Sequence, residues 1–147
     1  MATSADSANL ILKLYELRRE ETMRKARDFM LGFDPRSVED YMAVMMGPNN
    51  AYVRQVTSYW EMAAAFVNEG VIDAKLFDES NGEHIVVFGK VEAILPGLRA
   101  AFGNPGMLAN LEKVCLNAPG GIERVRATAE RIRAIMSAGK AAAAGTK

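Results

Sequence analysis

The chain has a single cysteine, a single histidine and a single tryptophan in 147 residues, and no excess of either charge. One cysteine, Cys115, excludes an internal disulfide and suits a reducing compartment. One histidine, His84, excludes any metal site built on two histidines of the same chain. With 18 basic residues against 18 acidic ones, there is no general attraction to nucleic acid or to an anionic membrane. Long apolar runs are also missing. None approaches the roughly 18 residues that span a bilayer, and Lys13 and Glu16 interrupt the N-terminal apolar run, so no signal peptide is expected. The Glu-x-x-His pairs of a di-iron bundle are absent. Gly103, Gly106, Gly120 and Gly121 stand beside prolines, where turn chemistry explains them better than a phosphate loop. These absences point to a soluble cytoplasmic protein, noncatalytic and without metal or cofactor.

What is present is helical periodicity. Residues 51–73 read as one amphipathic helix with a glycine stop and a new cap. Tyr52, Val53, Val56, Tyr59, Trp60, Ala63, Ala64, Phe66 and Val67 share an arc of roughly 160°, broad enough to touch more than one neighbour. Arg54, Thr57 and Glu61 fall on the other side. Gly70 ends the helix, Val71 supplies the hydrophobic contact of a glycine cap, and Asp73 caps the next turn.

Around this centre the spacing predicts an all-α, single-domain bundle of about six helices over residues 1–138, with residues 139–147 a mobile Ala/Gly/Lys tail. Ser7 is expected to cap a first helix over residues 8–31 that ends at Gly32. Its charged middle carries i,i+4 pairs such as Glu21 with Lys25, worth about 0.2–0.5 kcal/mol each. Ser37 and Asp40 resemble a capping box for a short helix to Met46, and Asn49 or Asn50 is placed to cap the central one. The β-branched run at residues 84–89 has no strand-like partner and reads as helix. Pro96 is expected to bend the helix over residues 83–102 near Ile94 to Gly97. A further helix is expected from Asn104 and Pro105 to Asn117. In the last helix Ile122, Val125, Ala129, Ile132 and Met136 alternate spacings of three and four, a coiled-coil-like seam.

The order SYWEMAAAFVNEGVID, LFDES, FGKVEAILPGLRAAFGNP and MLANLEKV resembles an uncharacterised bacterial family of small helical proteins. The resemblance covers residues 50–117 and rests on Glu61, the turn at 70–73, Arg99 after a proline, and Glu112. It implies a helical fold and supplies no active residues. It also implies, in many members, a membrane-spanning helix ahead of this region. Here a charged helix around residues 18–27 stands in that place, which speaks against a membrane role.

Candidate chemistry is sparse. His84, beside a helix start, reads as a capping or surface residue rather than a proton shuttle. Cys115, between Val114 and Leu116, reads as a buried inert thiol. Arg54, Glu61, Arg99 and Glu112 are candidates for interhelical ion pairs. Arginines at 18, 19, 24 and 27 and at 124, 126, 131 and 133 are interleaved with acids and read as solvated faces before a nucleic-acid footprint. A pocket beside Trp60, Tyr59 and Pro96 would suit a small molecule or an enzyme. The favoured expectation is a self-associating interaction module, a homodimer joined through Leu10, Leu14 and Leu17 of the first helix or Ile122, Val125, Ile132 and Met136 of the last.

Overall fold

The computed structural model describes residues 3–145. Among them, nine α-helices, of which only the fifth is shorter than eight residues, and one 3-10 turn follow each other without a strand. The chain therefore breaks more often than the six helices expected.

The first break falls inside the charged run. Helix α1 (Ser4–Arg18) and α2 (Glu21–Gly32) replace the single helix expected over residues 8–31. Glu20 adopts extended backbone, and its carboxylate accepts from the backbone N–H groups of Thr22 at 2.9 Å and Met23 at 2.8 Å. A side chain read as part of a solvated face is thus the cap of a new helix, satisfying donors that the first turn leaves open. Thr3 caps α1 through a capping box with Asp6. Ser7, expected in that role, is buried, and its hydroxyl accepts from the backbone N–H of Asp73 at 2.9 Å.

Helix α3 (Val38–Met45) starts at Ser37, whose hydroxyl accepts from the Asp40 N–H. The Asp40 carboxylate turns to the Arg36 N–H instead of completing the box. Helix α4 (Asn50–Asn68) is central, packed between α2 and α8 (Ala109–Asn117) and touching α3 and α5 (Ala74–Ser80). It buries Val53, Val56, Tyr59, Trp60, Ala63 and Ala64, as its wide apolar arc requires. Thr57 joins them by donating its hydroxyl proton to the Val53 carbonyl at 2.8 Å. Asn49 makes no side-chain cap. At the other end Gly70 takes a φ of +76°, and the N–H of Val71 reaches the Phe66 carbonyl at 2.9 Å. That left-handed turn favours glycine and lets the last carbonyls find donors.

Helix α6 (Glu83–Val91) passes through a 3-10 turn (Glu92–Ile94) into α7 (Leu95–Phe102). Pro96 does not bend the middle of a helix. It lies in the first turn of α7, where a missing N–H costs nothing, and the break sits upstream. The helix expected from Asn104 starts only at Ala109, because Leu108 takes a left-handed φ of 56°. Helix α9 (Gly121–Ala144) packs on α6 and α8. It continues through most of the segment expected as a tail, with residues 137–145 exposed. The last two residues of that segment lie outside the described residues.

Candidate functional site

Of the carboxylates and arginines singled out in the sequence, Arg99 and Glu112 form the expected ion pair between α7 and α8, while Glu61 on α4 makes no ion pair among the described residues and binds the start of α8 instead. Glu61 Oε1 accepts from the N–H of Asn110 at 3.0 Å and its Oε2 from the N–H of Leu111 at 2.8 Å. Leu108 has no side-chain acceptor with which to cap α8. Glu61 supplies the acceptors from another helix, placing a negative charge at a positive helix end. Arg99 bonds Glu112 at 3.1 Å and the Met107 carbonyl at 3.0 Å. Arg54 is not part of this cluster. Its Nε donates to Asn50 one turn earlier.

His84 is wholly buried rather than capping or at the surface, and neither ring nitrogen has a hydrogen-bond partner. Its ring lies 4.8 Å from that of Phe77 and 5.6 Å from that of Trp60. Burial pushes its pKa down to about 4; the Asp78 carboxylate opposes this, and Arg124 and Arg18 reinforce it. The neutral ring is part of the aromatic core. Cys115 is also buried, with its thiol 4.0 Å from the His84 carbonyl, and burial pushes its pKa up to about 12. The space beside Trp60 is filled, since the indole is completely buried against Tyr59, Phe77 and His84.

A polar network that periodicity does not reveal surrounds this core. Arg27 grips Glu83 through Nε and Nη2 and donates Nη1 to the Arg18 carbonyl. The Trp60 indole N–H reaches the same Glu83 at 3.4 Å. Arg18 lies 5.1 Å above the Trp60 ring and donates to Tyr59 and Asn81. Lys90 is buried with its ammonium on the carbonyls of Leu31 at 3.0 Å and Phe33 at 2.8 Å, closing the C-terminal end of α2. Burial lowers its pKa. A groove of about 310 Å³ between α2 and α6 borders Lys90, Arg24 and Glu83. Three of the four arginines of α9 are likewise engaged: Arg124 with Asp78 at 2.7 Å, Arg126 with Glu92 at 3.0 Å, and Arg133 with Asp34 at 2.9 Å.

The residues expected to form an interface divide. Leu14 and Val125 are in the core of the chain and present nothing to a partner. Leu10 and Ile122 are partly buried against that core, and Ile132 and Met136 are half-buried. The reason is tertiary: α1 lies against α5 and α2, and the α9 seam lies on α6, where a Cβ at Gly89 would come 3.3 Å from that of Ala129. Leu17 remains outside, at 45% exposure, beside Met62 at 40%. Together with Met23, Tyr59, Gln55 and Ser58 they line an open groove of about 560 Å³ between the α1–α2 junction and α4.

Fold and side chains define an all-α domain whose most prominent ionic groups cap and tie its helices. Residues 3–117 match DUF4760, a domain of unknown function, and the chain belongs to that family. The match extends well ahead of residue 50, so α1 to α3 belong to the family domain and α9 follows it. No curated protein and no solved structure matches the chain. Among the described residues no helix is long and apolar enough to cross a membrane, and no cluster of side chains is suited to hold a metal ion.

Proposed function

We propose that this chain is a noncatalytic protein-interaction module that self-associates as a homodimer through the groove between α1 and α4. The observation that carries the reading is the character of that groove. Leu17, Met23, Tyr59 and Met62 give it an apolar lining, and Gln55 and Ser58 are neutral. Its one ionic residue, Glu20, has its carboxylate occupied in capping α2. A two-fold interface sets a patch against its own copy, so any free charge near the axis would meet its like. A face without free charge suits a second copy of the same chain. Phe66, one turn beyond Met62, extends the exposed apolar surface.

The test is light scattering behind size exclusion on the whole chain at several concentrations. The wild type is expected at twice the chain mass, and Leu17→Glu with Met62→Glu at the chain mass with unchanged helicity. A wild type that stays monomeric at every concentration, or a double variant that still dimerises, overturns the reading.

A further inference from the structure

A second surface carries different chemistry. Between α4, α5 and α8 lies a cleft of about 610 Å³, within the roughly 300–1,000 Å³ of small-molecule pockets. Val67, Ala74, Val114, Ala118 and Pro119 give it an apolar floor. Its walls are fixed by polar ties that two of its lining residues, Asn68 and Asp78, make to neighbouring helices. Asn68 donates to the Asn110 carbonyl at 3.1 Å and to the Asn110 side chain at 3.0 Å, joining α4 to α8. Arg124 holds Asp78 from α9.

The charges at its rim leave a remainder. Lys75 pairs with Glu79 one turn along α5, and Asp78 is neutralised by Arg124 at 2.7 Å. Lys113, exposed on α8, has no ion-pair partner among the described residues. One ammonium therefore stands unbalanced at the edge of an apolar cleft.

We propose that this cleft binds a small amphipathic monocarboxylate, with its apolar body on Val67, Val114 and Pro119 and its carboxylate at Lys113. Hydrophobic contact supplies the affinity, and the ammonium selects the sign of the head group. The site is independent of the α1–α4 groove and stands whether or not the chain dimerises.

The experiment is a titration of the isotopically labelled whole chain with sodium octanoate, followed by amide chemical shifts, with octylamine as the opposite-charge probe. Octanoate is expected to give saturable shifts confined to residues 67–68, 74–79 and 113–119. Lys113→Glu should weaken octanoate about tenfold or more and turn the preference to octylamine. Ala74→Trp, at an exposed position of the floor, should block both probes and leave helicity intact. Absence of saturable shifts, shifts centred elsewhere, or equal octanoate binding by Lys113→Glu overturns the proposal. Mass measured on the same samples reports self-association separately.

Discussion

Glu61 and Leu111 are fifty residues apart in sequence and 2.8 Å apart in space, carboxylate oxygen to backbone N–H. The bond gives α8 the cap that Leu108 cannot provide and fixes its start against α4. Glu61→Ala should cost about 1–2 kcal/mol in denaturant unfolding. It should also accelerate hydrogen exchange at Asn110 and Leu111 ahead of the rest of α8. Equal protection in variant and wild type would show that the cap is dispensable.

His84 makes stability depend on pH. Burial lowers its folded pKa from 6.5 to about 4, so on acidification the unfolded chain takes up the proton first. Its contribution is fully present above pH 6.5, declines as pH falls toward 4, and is constant below. The size is about 3 kcal/mol across the window. His84→Leu removes the two unpartnered nitrogens, and the difference in unfolding free energy between wild type and variant should change with pH only between 6.5 and 4. A flat difference there would refute the assignment.

Cys115 should be inert while the chain is folded. Its thiol is buried and its pKa is pushed up to about 12, so the nucleophilic thiolate is nearly absent at neutral pH. Labelling by an aromatic disulfide reagent is expected to follow unfolding, rising with denaturant in step with loss of helicity. Rapid labelling of the native chain would contradict it.

Gly97 and Val38 lock α7 to α3. A Cβ at residue 97 would lie 2.6 Å from Val38 Cγ2, so Gly97→Ala should destabilise the chain despite alanine's better helix propensity. In a Val38→Ala background the clash is gone, and the same change should be neutral or stabilising by up to about 1 kcal/mol. A thermal-melt double-mutant cycle reads this directly, and additivity would rule out the contact.

Much of this architecture is legible in the sequence, because it depends on local chemistry. The apolar arc of α4, the left-handed stop at Gly70 and the cap at Asp73 each follow from residues within one or two turns. The buried thiol is also legible, from its apolar neighbours. The break at Glu20 is harder to read. A glutamate cap competes with i,i+4 pairing, and the local energies, a few tenths of a kcal/mol, do not choose between them. Pro96 reads as a helix breaker either way, but whether it bends a helix or begins one depends on where the preceding helix unwinds.

The sequence by itself determined that the chain is helical, that α4 is its centre, and that internal disulfides and two-histidine metal sites are excluded within the chain. Only the tertiary structure decided which side of each amphipathic helix is covered. Leu14 and Leu17 look alike on a wheel, yet the packing of α1 against α5 and α2 buries the first and leaves the second outside. His84 and Glu83 are adjacent, yet one is sealed among aromatic rings while the other is held by Arg27 and Trp60. Periodicity specifies that a face must be buried; the partner that buries it comes from residues far along the chain, and its contacts assign each side chain to the core, to a tie between helices, or to the surface.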